Sequence, residues 1–156
     1  MTGVPSPDSD PGCCELPLRV FFNNIQGFLS KRAQFLSCGI TEQYDLFFLQ
    51  ETNVKEDRVL IDEWSAAKFR AFNLSYVDQS AFKRGTIAAV REGILAYPLK
   101  IAAADKRFEI NAFRVHTRIS YRTFVLAYRS PSMSTERTEA FFENLASVVA
   151  SIEGEV

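Results

Sequence analysis

Short apolar runs alternate with polar, glycine-marked breaks along this chain, and the spacing within them changes from strand-like to helical and back. Residues 18–23 form a nearly continuous apolar run (Leu18, Val20, Phe21, Phe22) ended by polar residues and Gly27, which predicts a strand buried on both faces. Ser30 is placed to cap a helix in which Leu29, Ala33, Leu36 and Ile40 recur at helical spacing, with Gly39 near its end. Residues 45–50 hold a second buried run (Leu46, Phe47, Phe48, Leu49). Such a strand–helix–strand unit predicts two parallel strands joined by a right-handed crossover.

After Glu51 the chain turns polar, and a short helix is expected within 59–69 around Leu60, Ile61 and Trp64. Strands are expected at 72–77, 86–91, 99–103, 108–115 and 123–128, with Gly85, Gly93 and Pro98 between them. Ser134 then offers a cap for a helix reaching about Ile152, with Phe141, Phe142, Leu145, Val148, Val149 and Ile152 as one apolar stripe. Residues 1–17 hold four of the six prolines and no Lys or Arg, and they read as a disordered leader. The folded part is expected from Leu18 onward, and the class is α/β.

Composition narrows the function. With 156 residues, 47% hydrophobic and 24% charged, the chain is sized and balanced for one globular domain. Eighteen Lys and Arg against nineteen Asp and Glu give a net charge of −1, which excludes a nucleic-acid clamp that works by bulk charge. No apolar run approaches the ~20 residues that span a bilayer, so no membrane partner is expected. Three cysteines without a CxxC pair argue for a reducing, intracellular setting, with nuclear residence following if the substrate is DNA. The single histidine, His116, rules out a multi-histidine metal centre and reads as an exposed strand histidine. Lys83 and Arg84 read as a solvated turn pair, and none of the cysteines as a catalytic thiol.

Two polar residues stand out by placement. Asn24 follows the first strand and Glu51 follows the second. If those strands are parallel, both residues sit on one edge of the sheet, where open α/β sheets gather ligands. A carboxylate beside an amide suits a hard cation such as Mg2+. The same placement also fits a solvated loop acid and a turn-forming asparagine.

The wording around these positions adds to this. Leu18-Arg-Val-Phe-Phe-Asn-Asn-Ile-Gln-Gly27 and Asp45-Leu-Phe-Phe-Leu-Gln-Glu-Thr52, then Gly85-Thr-Ile-Ala-Ala-Val-Arg91 and Phe124-Val-Leu-Ala-Tyr-Arg-Ser-Pro-Ser132, resemble in order the motifs of the endonuclease/exonuclease/phosphatase superfamily. The flavour is closest to non-LTR retrotransposon endonuclease domains. The resemblance implies an incomplete four-layer α/β sandwich, with one sheet-and-helix layer of it expected here. It implies Glu51 as the ligand of Mg2+ (or Mn2+), Asn24 and Tyr128 as catalytic residues at the metal and phosphate, and Arg129 as a substrate-binding cation.

The family motifs Asp-x-Asn and Ser-Asp-His have no counterpart before Val156, so residues 18–156 are read as the first half of the domain. The expected function is that of a fragment of a Mg2+-dependent phosphodiesterase of the DNA-endonuclease kind, inactive as this chain. Nucleic acid is its partner once completed, and a protein partner would cover an exposed sheet face. The alternatives are a non-catalytic half-domain and a phosphomonoesterase of the same superfamily.

Overall fold

The computed structural model describes residues 17–28, 30–54, 57–75, 85–105 and 107–153. Most of the leader read at 1–17, Cys13, Cys14 and the Lys83-Arg84 pair lie outside them.

Strand β1 (Val20–Asn24) is followed by helix α1 (Arg32–Ser37), a 3-10 turn (Ile40–Glu42) and strand β2 (Leu46–Gln50). Helix α2 (Asp57–Ala66) leads to β3 (Phe69–Ser75), then β4 (Thr86–Arg91), β5 (Ala96–Leu99), β6 (Glu109–His116), β7 (Tyr121–Tyr128) and helix α3 (Thr135–Glu153). Two sheets form, one ordered β1-β2-β4-β3 and the other β5-β6-β7. β1 and β2 pair in parallel and the other pairs are antiparallel.

Alternation along each strand assigns one face to each layer. In the first sheet Phe47, Leu49, Ile87 and Ala89 face the helices and pack with Phe28, Trp64 and Phe69, and Trp64 stacks on Phe28 at 5.7 Å. Leu46, Phe48, Ala88 and Val90 face the other way, against Ala96, Phe113, Val115 and Leu126 of the second sheet. The outer face of the second sheet is covered by α3 through Phe108, Ile110, Phe141 and Val148. The order is therefore helices, sheet, sheet, helix. A part of all four layers is present, where one sheet-and-helix layer was expected, because β5–β7 fold back over β2 and β4 instead of extending the first sheet. The inner faces of the two sheets bury each other, so the wide exposed sheet face expected from the sequence is not what the chain leaves open.

Among the described residues, what stays open is an edge. β1 lies outermost in a four-stranded sheet facing a three-stranded one, and its Phe22 is 57% exposed. The two-sided burial expected for this strand is found at β2 instead. Other differences are local. Ser30 does not cap α1, since its hydroxyl turns to the Gly27 carbonyl at 3.4 Å, and α1 stops after six residues. The strand expected at 99–103 lies earlier, at Ala96–Leu99, because Pro98 sits on an edge strand where a missing N–H does no harm. On α3, Ser134 Oγ accepts from Arg137 N at 3.2 Å as a cap. Its inward stripe is Phe141, Leu145, Val148 and Ile152, while Phe142 and Val149 face water.

At one end of the first sheet, Asp45 accepts from Arg19 N, Nε and Nη2 and from Arg91 Nε at 3.0–3.3 Å. Burial pushes the Asp45 carboxyl up, but the bonds from Arg19 and Arg91 together outweigh it and hold the group below its ordinary value. The opposite end of both sheets is where the candidate residues gather.

Candidate functional site

Because β1 and β2 run in parallel, Asn24 and Gln50 are partners in register at their C-terminal ends. The chains stay tied beyond the strands. Ile25 N donates to Gln50 O at 3.0 Å, Gly27 N to Glu51 O at 2.7 Å and Phe28 N to Thr52 O at 2.9 Å. On the other side Thr52 N donates to the Gly85 carbonyl, just before β4, at 3.2 Å. Glu51 is thus held on a short, doubly anchored bend.

That bend is strained. Glu51, Asn53 and Gln26 all lie in the left-handed region, at φ 52, 57 and 49°, where each non-glycine residue costs roughly 1–2 kcal/mol. Gly27 at φ 98° takes the position that a side chain would disfavour most. Asn24 Oδ1 accepts from Gln26 N at 3.3 Å, and the Lys31 ammonium donates to the Ile25 and Gln26 carbonyls, so the first loop is braced from both sides.

The second sheet closes over the bend. Even-numbered residues of β7 point inward with Phe124 and Leu126, which brings Tyr128 to the same end, where its hydroxyl donates to Glu51 Oε1. Gln50 Nε2 donates to Ala127 O at 3.3 Å, a second bridge between the sheets. Arg129 follows directly and is exposed. Of the residues singled out by sequence, Glu51 and Tyr128 meet, Asn24 stands one strand away, and Arg129 lies at the rim. His116 is at the other end of β6, seven residue steps or about 23 Å along the strand, and its Nε2 is hydrogen-bonded to Tyr97 Oη at 2.9 Å.

Glu109 was not singled out. It is 4% exposed, lies opposite Tyr128 in the β6–β7 register, and its Oε1 accepts from Thr86 Oγ1 at 2.7 Å and from Gly85 N at 3.3 Å. The signal was available: Glu109 shares parity with Phe113 and Val115, so an acid stands on the buried face of a strand. It fixes Gly85, whose carbonyl in turn holds Thr52 beside Glu51. Glu109→Ala is expected to strand the Thr86 hydroxyl and the Gly85 N–H and to cost about 2–4 kcal/mol in urea denaturation. Glu109→Gln keeps an acceptor oxygen and should cost clearly less.

The donor set, one half-buried carboxylate with an exposed amide one strand away, is of the oxygen type that a hard cation takes. Among the described residues no three of His, Cys, Asp and Glu converge on a common point. A cation here would keep most of its waters or take oxygen atoms from a substrate.

No family model matches the sequence, and no curated protein does. Solved structures do. The endonuclease domain of TRAS1, a telomere-specific non-LTR retrotransposon, is 17% identical with a TM-score of 0.58, over 87% of this chain and 54% of that one. A humanized D. rerio TDP2 is 16% identical with a TM-score of 0.59, over 88% and 60%. An AP endonuclease from Archaeoglobus fulgidus is 12% identical with a TM-score of 0.57, over 85% and 51%. The chain has the fold of a partial α/β sandwich of the endonuclease/exonuclease/phosphatase type. It spans between about half and three fifths of the length of these structures.

Proposed function

We propose that this chain carries the metal- and phosphate-binding half of a Mg2+-dependent phosphodiesterase site that acts on nucleic acid, of the retrotransposon-endonuclease kind. The observation that carries the reading is the Tyr128–Glu51 contact, which joins the ends of two sheets and places a phenolic donor beside a carboxylate. Glu51 would hold Mg2+ (or Mn2+), with the Asn24 amide supporting it. A bound cation of this kind supplies Lewis-acid stabilisation of charge on a phosphoryl oxygen. Tyr128 turns its hydroxyl from Glu51 to that oxygen, and Arg129 at the rim balances the charge of the flanking phosphate.

Activation of the attacking water calls for a base, and the described residues near Glu51 provide only the buried Glu109, already engaged with Thr86. Binding is therefore the part of the chemistry assigned to these residues. The open β1 edge with its exposed Phe22 supports the companion reading that further polypeptide packs beside β1.

The test is a crystal grown with Mn2+ and a dinucleoside phosphate. The Mn2+ anomalous peak is expected at Glu51, with a phosphodiester oxygen in reach of the Tyr128 hydroxyl. A peak elsewhere, or a nucleotide away from Tyr128, would overturn the reading.

A further inference from the structure

The end of the second sheet remote from Glu51 has a composition unlike the rest of the chain. From Ile110 to Ser134 there are four arginines and one histidine and no Asp or Glu, in a chain of net charge −1. Three of those arginines, Arg114, Arg118 and Arg122, lie on or beside the tip of the β6–β7 hairpin.

The tip is tightly built. Ser120 O accepts from Thr117 N at 2.7 Å and from Thr117 Oγ1 at 2.9 Å, and Ser120 N donates back to Thr117 Oγ1 at 3.2 Å. This closed turn pushes Arg118 and Ile119 outward, leaving Ile119 85% exposed. Behind it His116 pairs in register with Tyr121, the Arg114 guanidinium lies 4.1 Å over the Tyr121 ring, and Tyr97 holds the His116 ring. Arg118 and Arg122 are exposed. Arg19 and Arg91 pair with Asp45, Arg32 with Glu63 and Arg107 with Asp105, whereas among the described residues Arg118 and Arg122 have no acidic partner.

Arg122 reaches the Ser120 hydroxyl at 3.5 Å, but among the described residues no acid neutralises Arg118 or Arg122 beside the exposed Ile119. A polyanion gains from both. Its charges meet the guanidinium groups, and Ile119 meets the apolar surface between them. We infer that the β6–β7 hairpin tip is a second, metal-independent nucleic-acid contact. The choice of nucleic acid as the polyanion rests on the function proposed above. Glu109 and His116 mark the ends of β6, seven steps or about 23 Å apart.

The experiment is fluorescence anisotropy of a labelled duplex of about 20 base pairs in EDTA, between about 50 and 200 mM salt. The proteins are the wild type, Arg118→Gln/Arg122→Gln and Glu51→Gln. The double variant is expected to bind about tenfold more weakly at the low-salt end, with the slope of log K against log salt shallower by about 2, one phosphate contact per arginine removed. With the metal chelated, Glu51→Gln should bind no more weakly than wild type, because it removes a negative charge that repels the duplex, so a loss confined to the arginine variant stands apart from the fate of the metal site. An unchanged Trp64 fluorescence melt shows the double variant is folded. Equal affinity and slope in wild type and double variant overturn the inference. In a parallel titration with Mg2+ in place of EDTA, wild-type binding that appears only there and is lost in Glu51→Gln also overturns it, and assigns all the contact to the Glu51 end. Arginine-dependent binding to phosphatidylserine vesicles without duplex binding overturns it in favour of a lipid surface.

Discussion

Glu51→Gln is expected to weaken Mn2+ binding at least tenfold, about 1.4 kcal/mol or more, in a water-proton relaxation titration. The substitution keeps the length and shape of the side chain on its strained bend, and it keeps an oxygen for the Tyr128 hydroxyl to donate to. What it removes is the charge, on which a site with a single carboxylate depends. Tyr128→Phe should leave affinity within about threefold or tighten it, because the phenol competes with the cation for the same carboxylate oxygens. Binding by Glu51 through charge and binding by a loosely organised loop are thereby separated: the second would be weakened by either change. Superimposable titrations of wild type and Glu51→Gln would remove Glu51 from the metal site.

How much of this site could be read from the chain depends on the range of each contact. Asn24 and Glu51 are brought side by side by one local unit, two apolar runs whose parallel pairing puts both ends on one edge, and the alternation of the sequence was enough to anticipate it. The Tyr128–Glu51 contact joins residues 77 apart in sequence, and nothing in periodicity specifies which sheet end faces which. The resemblance of the Tyr-x-x-Pro segment points to Tyr128 as a site residue, but not to its contact with Glu51. Glu109 is legible in principle through strand parity, since it shares the face of the buried Phe113 and Val115.

The helices divide in the same way. α3 has a serine cap and a long stripe, so its extent is set locally, although two of the six residues expected on the stripe, Phe142 and Val149, face water. α1 is short and makes no side-chain cap, and its extent is set by how Phe35 and Leu36 meet Phe47 and Trp64, a tertiary fact. Asn53 is of a type that enters the left-handed region readily, but Gln26 and Glu51 give no signal for that conformation. Strain of this kind is held by the surrounding hydrogen bonds, which is why the sequence is quiet where the candidate site is most constrained.

The sharpest test of the layering uses two phenylalanines that are partners in register, Phe22 on β1 and Phe48 on β2. They have the same chemistry, the same strand position and the same face. Phe48 is 1% exposed and packs between Phe113 at 5.8 Å and Phe124 at 5.2 Å. Phe48→Ala is expected to cost about 3–5 kcal/mol, from lost transfer energy and the cavity left between two sheets that cannot close on it. For a chain of this size that lowers Tm by about 10 °C or more, read from Trp64 fluorescence.

Phe22, beyond the reach of the three-stranded sheet, should cost about 1 kcal/mol or less on the same change, since half its surface is already in water. A large gap between the two losses is what a four-over-three sheet sandwich demands. Equal and large losses would mean that the inner face of β1 is covered as fully as that of β2. The apolar run at 18–23 would then be buried on both faces, as its composition alone suggests.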